Sequence, residues 1–144
     1  MKLNPYLNFD GTCEEAFNFY KKVFNTEFTE YGMMKMGDMP PQEGYEVPEE
    51  LKNRVMHVSI KVGDEVLMGS DTMPGMGKPY AAGTNAYISI HPDSREEADR
   101  IFSELSEGGE VESPMEDQFW GDYWGSLVDR FGTCWMINYN EASN

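Results

Sequence analysis

Of the two histidines in these 144 residues, one stands where an imidazole could do chemistry. His57 lies in Met56-His57-Val58-Ser59-Ile60, whose alternation reads as a strand. With Val58 and Ile60 turned toward a helix, His57 and Ser59 turn toward the opposite surface. An imidazole ordinarily titrates near neutrality, so there it could act as a general base or a ligand donor. The competing reading is a strand histidine held by a hydrogen bond, with a structural role only. His91, just before Pro92 at a strand exit, fits the surface.

The same parity collects partners for His57. From Asn4 to Phe9, Asn4, Tyr6 and Asn8 fall on one side of a strand, and Leu7 and Phe9 on the other. From Asn85 to Ile90, Asn85, Tyr87 and Ser89 fall opposite Ile88 and Ile90. Later strands offer Met68 and Ser70, then Met136 and Asn138. Phenol, amide, imidazole and thioether groups on one surface suit a small organic ligand better than a macromolecule. The segment Phe119-Trp120-Gly121-Asp122-Tyr123-Trp124-Gly125 reads as an aromatic loop. Its Trp120, Tyr123 and Trp124 could wall a pocket for a flat or cationic molecule. Met33, Met34, Met36, Met68 and Met136 would give that pocket an adaptable lining. Packing in a core or a dimer interface is the alternative for these aromatic and thioether groups.

Charge narrows the partners. The formal net charge is -15, from 26 acidic and 11 basic residues. Such a surface repels nucleic-acid phosphates and anionic lipid, and attracts cations. No apolar run approaches the roughly 20 residues of a membrane span. Met1-Lys2-Leu3-Asn4-Pro5 shows no secretory h-region, so a cytoplasmic chain is expected. The two cysteines, Cys13 and Cys134, make no disulfide framework. Cys13, at a helix N-terminus, could have a depressed pKa; an incidental thiol is the plainer reading.

These groups must be positioned by regular elements, and the chain announces two of them in duplicate. Thr12-x-x-Glu15 precedes Ala16, Phe19, Tyr20 and Val23; Ser94-x-x-Glu97 precedes Ala98, Ile101, Phe102 and Leu105. Each is a capping box followed by the apolar stripe of an amphipathic helix. The helices are expected over Thr12–Phe24 and Ser94–Ser106. Strands are expected over Asn4–Phe9, Glu27–Met36, Arg54–Val62 and Glu65–Ser70, then over Asn85–Ile90, Glu110–Glu112, Ser126–Val128 and Thr133–Tyr139. Residues 37–53, rich in Pro and acid, read as a long mobile loop, and the tail from Asn140 to Asn144 as frayed. The chain thus reads as a single α+β domain of two βαβββ modules. Module one spans about 1–71, a linker 72–83, and module two about 84–139. Two such modules can enclose a concave surface, or cup.

Three segments resemble a known family. Pro5-Tyr6-Leu7-Asn8-Phe9-Asp10-Gly11 with Glu15-Ala16 and Phe19-Tyr20 is similar to the opening of PhnB-like proteins. Val66-Leu67-Met68-Gly69-Ser70-Asp71 is similar too, as is Phe119-Trp120-Gly121-Asp122 through Val128-Asp129-Arg130-Phe131-Gly132-Thr133-Cys134-Trp135-Met136-Ile137. These proteins belong to the vicinal oxygen chelate superfamily, with glyoxalases, extradiol dioxygenases and bleomycin-resistance proteins. The resemblance implies curved mixed sheets around a cup and a homodimer, which the eight Phe, eight Tyr and three Trp also favour. It also implies a divalent metal held by His, Glu or Gln of the first and last strand of each module. Here the last-strand Glu position falls on Met136, and Asn, Ser and thioether donors make a poor transition-metal site. This chain departs from the family pattern at Tyr123, Arg130 and Thr133. Some relatives carry a 3-demethylubiquinone methyltransferase label, but no glycine-rich cofactor loop is visible here.

The expectation is therefore a small-molecule-binding protein with no metal and no cofactor. Its ligand surface would be Tyr6, Asn8, His57, Met68, Tyr87, Trp120, Tyr123, Trp124 and Met136. A metal-dependent lyase, isomerase or dioxygenase and a structural dimer without ligand are the alternatives.

Overall fold

Among the described residues two α-helices and eight strands form in the order β-α-β-β-β, twice over. The computed structural model describes residues 1–143 and divides into two compact units, Met1–Ala81 and Ala82 onward.

In the first unit β1 (Tyr6–Phe9) leads to α1 (Cys13–Val23), then to β2 (Met34–Lys35), β3 (Val55–Val62) and β4 (Glu65–Asp71). The sheet order is β1-β4-β3-β2, with β1 parallel to β4 and the other pairs antiparallel. The β3–β4 hairpin turns at Gly63-Asp64, where Gly63 supplies a positive φ of 61° that costs an L side chain but not glycine. α1 lays Cys13, Ala16, Phe17, Tyr20 and Val23 against Val55, Val58, Ile60 and Leu67, all buried. Phe17, not the expected Phe19, completes the stripe; Phe19 is only half-buried. The helix ends in a Schellman arrangement: Thr26 N–H donates to Lys21 O, Asn25 N–H donates to Lys22 O, and Asn25 takes a φ of 51°.

The second unit repeats the order with β5 (Ile88–Ile90), α2 (Arg95–Ser106), β6 (Glu110–Asp117), β7 (Tyr123–Val128) and β8 (Cys134–Tyr139). Its sheet runs β5-β8-β7-β6, and β5 is again the parallel strand. Ala98, Ile101 and Leu105 of α2 are buried, as are Leu127, Trp135 and Ile137. Each unit is thus an α+β module with one helix on a mixed four-stranded sheet.

Several boundaries differ from the sequence reading. The strand expected over Glu27–Met36 shrinks to Met34–Lys35, with one isolated pairing of Phe28 to Ile60. Gly32, at φ 61°, turns the chain between them. β5 begins at Ile88 rather than Asn85. β6 is longer than expected, because two register irregularities, between Val111 and Ser113 and between Ser113 and Glu116, hide its alternation. β7 starts at Tyr123, so the aromatic loop is only the turn 118–122. Residues 37–53 contain a 3-10 turn at Glu49–Leu51, and Met36–Asp38 forms another. Of the tail, Glu141–Ser143 forms a third 3-10 turn, and Asn144 lies outside the described residues.

The first capping box does not form. Thr12 makes no side-chain cap; the carboxylate of Asp71, at the end of β4, accepts from Gly11 N–H and Cys13 N–H instead, at 2.9 and 3.0 Å. Ser94 does cap α2, accepting from Glu97 N–H at 3.1 Å, while Glu97 accepts from Asp93 N–H.

Candidate functional site

Register decides which side chains share a face. In the first sheet Tyr6 pairs with Met68 and Asn8 with Ser70 across β1 and β4, while Met68 pairs with Ser59 of β3 and Met34 of β2 with His57. Successive side chains alternate, so Tyr6, Asn8, Met34, His57, Ser59, Met68 and Ser70 lie on the face opposite α1. Tyr6 and Asn8 are exposed there, and His57 and Met68 are half-buried. The Tyr6 hydroxyl stands 3.5 Å from His57 Nδ1, and the rings lie 5.9 Å apart. Ser70 Oγ donates to Asn8 Oδ1 at 3.5 Å. Ser59 is taken up by Thr29, whose hydroxyl lies 2.6 Å from its own. Four of the expected residues, Tyr6, Asn8, His57 and Met68, thus share one surface in the first unit.

The second sheet divides its expected residues. Met136 of β8 sits between Ser89 and Ser126, and Trp124 lies between Asn138 and Glu116, all on the face away from α2. Tyr87 donates to both carboxylate oxygens of Glu112 at 2.9 and 3.0 Å, which raises its pKa. Glu112 was not among the sequence candidates: it falls in an irregular stretch of β6 where parity gives no answer. Tyr123 does not share a wall with Trp124. Adjacent in β7, the two point to opposite faces, and Tyr123 turns to α2. There its hydroxyl donates to Asp99 at 2.5 Å, and the Arg95 guanidinium stacks 3.8 Å from its ring centre. Arg95 is also paired with Asp117. That network makes Tyr123 a strut between helix and sheet.

Trp120 stands apart on the β6–β7 turn, 54% exposed beside Phe119 at 98%. Its indole N–H donates to Asp122 Oδ2 at 3.0 Å, and Asn140 donates to Asp122 Oδ1 at 2.5 Å. The amide donors of Asn140 and Asn138 and the indole hold the Asp122 carboxyl below the usual range. Asn138 Oδ1 is buried and without a partner.

Cys13 is not an activated thiol. It is fully buried, and burial, then the nearby Asp71 and Glu14 carboxylates, push its pKa up rather than down. Burial likewise raises Cys134.

A divalent transition metal would need strong donors that converge on one point. The expected residues carry amide, phenol, indole and thioether groups, with His57 the one imidazole on the first face and Glu116 a carboxylate on the second. Among the described residues no three His, Cys, Asp or Glu side chains converge. Hard and borderline divalent ions need such convergence at about 2.0–2.3 Å.

Likeness to known proteins agrees with this architecture. Residues 1–138 match the family described as 3-demethylubiquinone-9 3-methyltransferase, and the chain belongs to that family; its fold is the glyoxalase/bleomycin resistance-like one. Protein PA1353 of Pseudomonas aeruginosa is 36% identical, with 97% of this chain and 98% of that one covered and a TM-score of 0.84. A putative 3-demethylubiquinone-9 3-methyltransferase, the PhnB protein of Bacillus cereus, is 21% identical over 96% of this chain and 99% of that one, with a TM-score of 0.73. The fosfomycin resistance protein FosX of Listeria monocytogenes shares the fold at 12% identity and a TM-score of 0.64, covering 99% of this chain and 94% of that one. No helix among the described residues is long and apolar enough to cross a membrane.

Proposed function

We propose that this chain is a small-molecule-binding protein that uses the open faces of its two sheets and holds no chelated metal. The observation that carries this reading is the gathering of Tyr6, Asn8, His57 and Met68 on one uncovered face. Phenol, amide and imidazole there can donate or accept, and the thioether adapts to apolar shape. Tyr87, Trp124 and Met136 form a corresponding surface on the second sheet, with Trp120 on its β6–β7 turn. The net charge of -15 favours a cationic molecule and disfavours nucleic acid and anionic membranes, and the rings of Trp120 and Trp124 suit a flat or cationic one. The protein acts in the cytoplasm, as one domain and as a homodimer. FosX, a fold neighbour, has been solved with Mn(II) and a dihydroxypropylphosphonic acid; the donor types here support ligand binding without the metal.

Methyl transfer is not part of this reading. The two strand-to-helix links are Asp10-Gly11-Thr12 and His91-Pro92-Asp93-Ser94, neither of them a glycine-rich cofactor loop. The test is native mass spectrometry of the purified protein, followed by titration of whatever co-purifies into His57→Ala. A change in affinity of about tenfold with an unchanged melting temperature is the expected result. A depressed melting temperature with unchanged affinity would return His57 to a structural role.

A further inference from the structure

A half-open groove of about 350 Å³ lies in the first unit, between residues 36 and 52, lined by Met36, Met39, Pro40, Pro41, Tyr45 and Val47 with Gln42, Glu46 and Lys52. None of these residues belongs to the sheet face described above. The chain around it is pinned at both stems. Met36 N–H donates to Arg54 O and Gly37 N–H to Lys52 O, at 2.8 and 2.9 Å. Gly37 eases this approach: a Cβ there would stand 3.0 Å from Lys52 Cβ and 3.2 Å from Lys52 O, a tight contact. Beyond the stems the backbone is held open. Met39, before Pro40, is extended at φ -66° and ψ 143°, as a residue preceding proline tends to be. Pro48 is extended at φ -54° and ψ 142°. Extended, proline-rich chain does not coil into a helix that would close the groove.

The lining states what fits. Two thioethers, two prolines, a phenol ring and a valine offer dispersion contact and edge-on sulfur–ring contact. The one ammonium of the lining, Lys52, is already 2.6 Å from the Glu49 carboxylate, so no uncompensated cation awaits an anion. The volume is near the small end of ligand pockets, about 300–1,000 Å³. We propose that this lobe is a second binding site, separate from the sheet faces, for a neutral planar aromatic molecule of roughly one or two rings. The second unit has no such lobe: at the same place in its topology, between β6 and β7, stands only the turn 118–122.

The test uses 1-naphthol as probe and the full-length protein carrying methionines labelled with carbon-13 at the methyl group. Saturable shifts at the Met36 and Met39 methyls, with a Kd below about 1 mM and no shift at Met68 or Met136, are expected. Val47→Trp should fill the groove and abolish those shifts, while His57→Ala leaves them intact. Shifts confined to Met68 or Met136 would overturn the lobe and favour the sheet faces. Linear, non-saturating shifts, or none up to the solubility of the probe, would also overturn it. Because the readout reports each methyl separately in the wild-type chain, it stands even if Val47→Trp does not fold.

Discussion

Each unit buries one carboxylate at the end of a strand, but the two carboxylates do different work. Asp71, 7% exposed, accepts from Gly11 and Cys13 at the head of α1 and from Val55 at the head of β3. Asp129, 3% exposed, accepts from Phe131, Thr133 and the indole N–H of Trp135, all within its own hairpin. The first unit is thus locked across long stretches of chain, and the second by a local turn. The helix caps follow from this. α2 caps itself through Ser94, whereas α1 borrows its cap from β4, which leaves Thr12 without that task. Two modules of one topology need not share their fastenings.

The largest expected effect tests that contrast. Asp71→Ala orphans the buried amides of Cys13 and Val55 and the partly buried one of Gly11. At about 1–3 kcal/mol per unsatisfied buried donor, it should cost about 3–5 kcal/mol in denaturant unfolding. Asp129→Ala leaves only the Trp135 indole deeply buried, since the Phe131 and Thr133 amides are partly exposed to water. It should cost about 2 kcal/mol. Equal losses would mean that the range of the contacts is irrelevant and only their number counts.

A smaller effect isolates the neighbour of Asp71. The Cys13 thiol is held protonated above its ordinary 9.0 by burial and by the Asp71 carboxylate. The unfolded thiol ionises first as pH rises past about 9, so the stability it contributes is complete below that pH and lost above it. Wild-type stability should therefore decline from about pH 9 upward, and Cys13→Ala should flatten the decline. Chemical denaturation between pH 7 and 10.5 measures this; an unflattened slope would assign the decline to other groups.

Much of the scaffold was legible because it is written locally. Both helices lie within a residue of the expected bounds, since apolar spacing and acidic first turns need only neighbouring positions. The side of the first sheet that carries Tyr6, Asn8 and His57 was legible for the same reason: β1 alternates, and β3 alternates from His57 onward, past the irregularity opposite Met34 and Lys35. What failed was non-local or irregular. Asp71 reaches amides far away in sequence, and no local pattern announces that. β6 is an edge strand of Glu110, Glu112, Glu116 and Asp117 broken by two irregularities, and an edge strand need not bury a face. Its true length moved β7 three residues forward of expectation, which put Tyr123 on the helix side. The groove in 36–52 was invisible because a proline-rich segment reads as loop whether or not its stems are fastened.

The smallest expected effects concern the caps themselves, and they decide whether α1 relies on its own sequence at all. Both helices carry a hydroxyl residue followed three positions later by Glu, so sequence logic assigns the two equal cap energies. The structure does not. Ser94 has the extended backbone of a cap, φ -149° and ψ 162°, and its side chain accepts from Glu97 N–H. Thr12 sits at φ -107° and ψ 9°, with no such bond. Ser94→Ala should therefore cost about 1 kcal/mol, and Thr12→Ala less than about 0.5 kcal/mol. The combination with Asp71 sharpens this: in Asp71→Ala the head of α1 loses its borrowed acceptor, and Thr12 is the nearest replacement. Thr12→Ala should then cost more in that background than in the wild type, a non-additivity that a double-mutant cycle reads directly. If Thr12→Ala costs as much as Ser94→Ala in the wild-type chain, the borrowed cap is wrong and the two helices begin alike after all.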